Sequence, residues 1–187
     1  MKNVSEEDLI RRCLEGDETF CRMLFEKYYG RMLNVCKRYS KDKEEAYDML
    51  QEGFIKVFKN LEQYNGQGSF EGWMRKVMVT TSINYFRKFH LHETVEYVDR
   101  DELAFLESAK TSSIYNTSGE TGSDAESLLR MIVELPAVYR MVFNLFAIEG
   151  YSHAEIATTL DIAESTSRAN LSKARQKLQH MLHANFI

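Results

Sequence analysis

Apolar residues recur at helical spacing along most of the chain, in stretches separated by short polar breaks. The breaks bound helices expected near residues 5–15, 18–39, 43–62 and 70–88, and again near 125–133, 136–148, 152–159 and 165–183. Ser5 and Ser69 stand where N-caps belong, and Tyr64-Asn65-Gly66-Gln67-Gly68 reads as a loop. Pro136 suits a first helical turn, and Ser152-His153-Ala154-Glu155 has capping-box spacing. From about Leu91 to Asp124 the helical period fails. Thr111-Ser112-Ser113, Asn116-Thr117-Ser118-Gly119 and Thr121-Gly122-Ser123 accumulate there, so the segment reads as a linker with one helical turn near Leu103–Leu106. The pattern predicts an all-α chain of two small domains, 1–90 and 125–187, joined by a flexible tether, 91–124.

Composition narrows the class. One Pro and nine Gly among 187 residues disfavour a turn-rich β fold. No apolar run reaches the roughly 18 residues that span a bilayer, and the first residues are acidic without an apolar signal core. The expectation is a cytoplasmic protein with no membrane insertion. Cys13, Cys21 and Cys36 show neither disulfide parity nor CxxC spacing, which predicts reduced thiols. The net charge of −4 argues against a polyanionic partner until it is resolved by segment. Residues 91–126 carry nine acids against Arg100 and Lys110, so the tether is acidic and the remainder is net positive. The last 23 residues hold Arg168, Lys173, Arg175 and Lys177 with no acid.

A short helix, a turn and a longer basic helix make the helix-turn-helix arrangement. Ala157 is small where the two helices should cross, Ile162 is placed to plug the turn, and Asp161 falls where positive φ is needed. At 100° per residue, Ser167, Leu171, Ala174, Leu178 and Leu182 gather on an inward stripe of the longer helix. Ser165, Ala169, Ser172 and Gln176 form the opposite pole. Arg168 and Arg175 border it on one side, with Thr166, Lys173 and Lys177 on the other. Small polar residues between basic rails suit a helix in the major groove: short side chains admit the backbone to base edges, and the rails meet phosphates. Pattern alone leaves a solvated amphipathic helix open.

Residues 69–88 also divide by face. Met74, Val77, Met78, Thr81 and Tyr85 form an inward stripe, whereas Trp73, Lys76, Thr80, Asn84 and Arg87 form a stripe of aromatic, basic and small polar groups. Such a face suits single-stranded nucleic acid, where bases stack and phosphates pair. On pattern alone a core Trp73 beside a solvated charged face is the plainer reading. The preceding helix has an apolar stripe (Leu50, Phe54, Val57, Phe58, Leu61), and its other face mixes Asp48, Gln51, Glu52 and Ile55.

The ordered set of parts resembles a bacterial sigma factor of the sigma-70 class, specifically the small extracytoplasmic-function (ECF) group that has only regions 2 and 4. The residues that carry the likeness are Asp48 through Phe58 for region 2.2, Phe70-Glu71-Gly72-Trp73 through Ile83-Asn84-Tyr85-Phe86-Arg87-Lys88 for regions 2.3 and 2.4, and, for region 4, Leu135 through Arg140, Gly150-Tyr151-Ser152, Glu155-Ile156-Ala157 and Thr166 through Arg175. The resemblance implies a sigma region 2 domain at 1–90 and a region 4 helix-turn-helix domain at 125–187. It implies core RNA polymerase as partner, docked through Asp48, Gln51, Glu52 and Phe54 on the clamp helices of the largest subunit. It implies that the loop Tyr64–Ser69 and the residues Trp73, Lys76, Thr80, Asn84, Arg87 and Lys88 melt and read the −10 element as single strand, capturing an unstacked base. It implies that Ser165, Thr166, Arg168, Ser172, Lys173 and Arg175 read the −35 duplex. An anti-sigma factor that clamps the two domains together is implied by the family alone.

Three positions depart from the family pattern. Thr80 stands where Asn is frequent, removing an amide donor from any base contact; Ser167 replaces an apolar residue, which should loosen the reading helix; and Asp161 replaces a Gly in the turn. An enzyme is not expected. No Gly-rich phosphate loop or nucleophile motif occurs, and His180 and His183 lack a third metal ligand at a matching spacing, so no cofactor is predicted. The competing reading is a stand-alone helix-turn-helix regulator with an N-terminal sensing domain. It shares the C-terminal half of the inference but leaves the Trp73–Arg87 face unexplained.

Overall fold

The computed structural model describes residues 4–89 and 124–185, so the tether, its expected helical turn and its acidic run lie outside the described residues. Among the described residues the chain is all-α and divides into two compact units. Helices α1 (Glu6–Leu14), α2 (Glu18–Lys37) and α3 (Lys43–Lys59), a 3₁₀ turn (Leu61–Gln63) and most of α4 (Phe70–Phe89) build the first. Helices α5 (Asp124–Glu134), α6 (Ala137–Phe143), α7 (His153–Leu160) and α8 (Glu164–Asn185) build the second, with α6 running on into a π-helical turn, Asn144–Ile148.

In the first unit α3 buries the stripe its periodicity marks, and α4 buries Met74, Met78 and Thr81 of its expected stripe together with Val79, Ile83 and Phe86. Leu24, Tyr28, Met32, Val35 and Cys36 of α2 face Ala46, Met49, Leu50, Phe54 and Val57 of α3 across a core closed by Phe70, Met74 and Met78 of α4. Caps fix the helix starts. Ser5 Oγ accepts from Asp8 N at 3.1 Å and Ser69 Oγ from Gly72 N at 3.0 Å, each answering an otherwise orphaned amide. The cysteines depart from expectation: Cys13 and Cys21 are joined by a disulfide. The tight turn between α1 and α2 brings their Cα atoms to 4.8 Å, a proximity that an odd cysteine count conceals.

In the second unit Val138, Tyr139, Met141, Val142, Leu145, Ile156, Leu160, Leu171, Ala174 and Leu178 form the core. Pro136 stands one position ahead of α6, as its N-cap residue rather than inside its first turn. The buried Arg140 donates from Nη1 to Val133 O at 2.5 Å, so its guanidinium satisfies a carbonyl at the end of α5. Ser152 and Glu155 complete the capping box of α7, and Asp161 takes the left-handed turn (φ 56, ψ 49). Ile162 is only half-buried, so the turn is plugged less deeply than expected. Leu182 is 37% exposed because α8, at 22 residues, continues beyond the inward stripe that ends at Leu178.

Gly53 of α3 fixes the approach of α4. A Cβ at that position would lie 2.2 Å from Met78 Sδ, and Met78 is fully buried with no solvent-side escape. Gly53→Ala should therefore lower stability by about 1–3 kcal/mol through overpacking, despite the better helix propensity of Ala. The double variant Gly53→Ala/Met78→Ala should lose less than the sum of the singles, as measured by urea unfolding. Additive losses would contradict the contact.

Candidate nucleic-acid interface

Phe70, fully buried as the first residue of α4, holds the aromatic end of the first unit together. Tyr28 meets its ring edge-on at 5.7 Å, Tyr64 does so at 5.0 Å, and Trp73 stacks on it at 5.6 Å. Tyr64 also lies 5.8 Å from Trp73 and donates its hydroxyl to Gly68 O at 2.8 Å. The loop 65–69 is thereby tied down at both ends yet exposed throughout. Gly66 (φ 75) and Gly68 (φ 78) supply the left-handed conformations that let it turn back onto α4.

Trp73 is half-buried, with one ring face spent on Phe70. Along the same side of α4, Lys76, Thr80, Asn84, Arg87 and Lys88 are all exposed. Met74, Met78 and Thr81 are buried beneath them, while Val77 and Tyr85 are half-buried. Trp73 is thus neither a core residue nor free: it is an aromatic shelf at the head of a basic and polar stripe. On α3, Asp48, Gln51 and Glu52 are exposed and Glu52 pairs with Lys56 at 2.6 Å. Phe54 departs from its expected surface role. It is 4% exposed and packs on Phe25 at 4.6 Å, because it lies on the inward stripe of α3. The apolar side chain on the outer face is Ile55, 66% exposed, and Tyr47, eight residues earlier on α3, is 45% exposed.

On α8 the small pole Ser165, Ala169, Ser172 and Gln176 is exposed throughout. Arg168, Lys173 and Arg175 are exposed at its borders, and Thr166 is half-buried. Arg168 is paired with Glu164 one turn earlier. The Arg175 guanidinium lies 5.8 Å above the Phe146 ring, which orients its cation along the helix flank.

Ser167, expected to loosen the reading helix, is fully buried with its hydroxyl 2.9 Å from His153 Nδ1. The His153 ring in turn stacks on Phe146 at 4.5 Å. A satisfied hydroxyl joins α8 to the start of α7 where an apolar contact was the pattern. Arg175, Phe146, His153 and Ser167 therefore make one continuous run of contacts. Phe146 and His153 were missed in the sequence. A Ser on an inward stripe is the signal that a buried hydrogen-bond partner must exist, but only the fold shows which residue supplies it. Desolvation, reinforced by Arg168 and Arg175 and opposed by Glu164, pushes the His153 imidazole below its ordinary value of 6.5.

Two segments match known families: residues 24–90 match Sigma-70 region 2, and residues 125–178 match Sigma-70, region 4. The chain is 26% identical over 182 residues to the ECF RNA polymerase sigma-E factor of Escherichia coli, covering 96% of this chain and 95% of that protein. It is 25% identical over 186 residues to the RNA polymerase sigma-H factor of Pseudomonas aeruginosa, covering 95% and 93%. Its fold is similar to that of the sigma factor RpoE from Bartonella quintana, solved in complex with the anti-sigma factor NepR. That likeness has a TM-score of 0.51 at 18% identity, over 87% of this chain and 96% of the other.

A lowered imidazole pKa means that the unfolded state binds the proton more tightly, so this contribution is complete above 6.5 and is lost as pH falls through the folded value. Unfolding of the second unit should show a loss of stability as pH falls below 6.5 that is smaller in His153→Gln, followed by thermal unfolding. An equal loss in both proteins would show that His153 does not titrate against the fold.

Proposed function

This chain belongs to the sigma-70 family of RNA polymerase sigma factors, in its extracytoplasmic-function group, and we propose that its two units divide the work of transcription initiation along the surfaces described above. Residues 1–90 form the domain that docks on core RNA polymerase and opens the −10 element. Residues 125–187 form the domain that reads the −35 element, and 91–124 tether the two. The reading rests chiefly on one observation: an aromatic shelf, Trp73, heads an exposed stripe of Lys76, Thr80, Asn84, Arg87 and Lys88 on a single helix. A stand-alone duplex-binding regulator has no use for that stripe.

Each surface has a physical task. Pulling a base from the stack costs a few kcal/mol, which must be offset by a shelf on which the base restacks and by cations that hold the freed strand. Trp73 offers the shelf, and Lys76, Arg87 and Lys88 offer the cations. Thr80 and Asn84 are the short polar groups within reach of base edges, with Thr80 offering a hydroxyl instead of an amide. On α8, Arg168 and Arg175 have the fork geometry that reads guanine edges, whereas Lys173 meets phosphate as a point charge. Ser165, Thr166 and Ser172 leave room for the backbone to approach. Asp48, Gln51 and Glu52, together with Ile55 in place of Phe54, make the mixed acidic and apolar face that docks on the polymerase. Nucleotide chemistry is left to the polymerase. Among the described residues no helix is long and apolar enough to cross a membrane. An anti-sigma factor, as in the Bartonella complex, is the regulator we expect to cover these surfaces.

The experiment is promoter opening by the reconstituted holoenzyme, followed by fluorescence of a base analogue in the −10 element. Trp73→Ala should abolish opening while Trp73→Tyr retains most of it, with −35 duplex binding unchanged in both. Full opening by Trp73→Ala would contradict the assignment. Arg175→Ala should relax base discrimination at one −35 position by ~1–3 kcal/mol. Lys173→Ala should instead weaken all sequences alike and reduce the salt slope by about 1. The two variants are distinguished by titrating duplexes at several salt concentrations.

A further inference from the structure

The disulfide is out of keeping with the family's workplace. Sigma factors act on RNA polymerase in the cell interior, where thiol pools keep cysteines reduced and disulfides are transient, serving sensing or catalysis. Yet Cys13, in the last turn of α1, and Cys21, in the first turns of α2, are bonded. Both precede Leu24, so they lie outside the residues shared with region 2. Cys36 differs: it is fully buried in the core.

The two sulfurs are not equivalent. Cys13 is 8% exposed, whereas Cys21, near the N-terminus of α2, is half-buried. The charges around this turn are mixed: Arg12 lies over the Phe20 ring at 4.8 Å and Arg22 is exposed, while Asp17 and Glu18 stand at the start of α2. Cys21 is the more accessible of the two, so it is placed to meet a soluble reagent and Cys13 to resolve it. The link also bears on the site. α1 packs against α2 and against the 3₁₀ turn Leu61–Gln63, and the next residue, Tyr64, enters the stack with Phe70 and Trp73. A nine-residue helix is too short to persist without such anchorage. Its other ties are the buried Leu9 and the contacts of Glu6 with Tyr28 and Lys27.

We propose that Cys13 and Cys21 are a redox-modification site that exchanges with low-molecular-weight disulfides of the glutathione class, and that its state sets how firmly α1 braces the turn beneath the Tyr64–Phe70–Trp73 stack. In the forward step the Cys21 thiolate attacks one sulfur of the small disulfide, whose S–S bond breaks and releases one thiolate. Cys13, having given up its proton to water, attacks Cys21 in the mixed disulfide and expels the second. Two electrons pass from the pair to the small disulfide, leaving two small thiols and one protein disulfide. Excess small thiol reverses the sequence.

The test uses the full-length chain equilibrated with glutathione and glutathione disulfide in varied ratio, with intact-mass analysis after alkylation and hydrogen exchange in each state. The pair should oxidise with glutathione disulfide and reduce again with excess glutathione. Cys13→Ser should retain one glutathione adduct on Cys21, formed at least about tenfold faster than any adduct on Cys13 in Cys21→Ser. Amides of α1 and of Leu61–Gln63 should exchange about tenfold or more faster in the reduced wild-type protein, a comparison that needs no substitution. A pair that stays bonded in excess glutathione, or never oxidises, overturns the proposal. So do equal adduct rates or equal amide exchange in the two states. None of these readouts involves polymerase or promoter, so their failure leaves the sigma-factor reading intact, and a failure of promoter opening leaves this site untouched.

Discussion

Phe70 is the point at which the first unit's interior becomes its working surface. Its ring is fully buried, yet Tyr64 and Trp73, the two aromatics that reach the exposed loop and stripe, are positioned by contact with it. Tyr28 supports it from α2, and the Tyr28 hydroxyl donates to Glu6, tying α1 into the same assembly. That hydrogen bond holds the Glu6 carboxyl below its usual range, with Lys27 helping and burial opposing. A melting surface must be stiff where it receives a base, since every degree of freedom frozen on binding detracts from the energy available for unstacking. Under the proposed role, packing Trp73 against a buried ring would meet that requirement.

The second unit reaches the same end with polar groups. Helix α8 is joined to α7 by Ser167 and His153, and Phe146 carries that contact outward to Arg175. Asp161 lets the chain turn between the helices, and its N–H returns to Ala157 O. A buried hydroxyl hydrogen-bonded to a partly exposed imidazole fixes direction as well as distance, which an apolar pair does not. The arrangement ties the packing of α8 against α7 to the His153 ring.

Much of this was legible in the sequence because periodicity reports burial directly. The stripe of α3, the caps at Ser5, Ser69 and Ser152, and the positive φ of Asp161 follow from local rules, whereas on α4 tertiary contacts bury Val79, Ile83 and Phe86 and leave Val77 and Tyr85 half-buried. The remainder depends on which elements meet. Phe54 and Ile55 are neighbours of similar apolarity, and the helical stripe that makes one core and the other surface is at odds with the docking role that the resemblance gives Phe54. Cys13 and Cys21 are eight residues apart across a turn, so their bond depends on the angle of a helical hairpin. Ser167 looked like a defect because its partner, fourteen residues earlier, was not identifiable from spacing.

The central claim is that this chain is a polymerase-dependent initiation factor, and equilibrium binding to bacterial core RNA polymerase tests it most directly, with promoter-free duplex DNA as the comparison. Tight binding to core, weakened about tenfold or more by Asp48→Ala combined with Ile55→Ser, alongside feeble binding to duplex alone, is the predicted result. Absence of core binding together with avid dimeric binding to duplex DNA would contradict it.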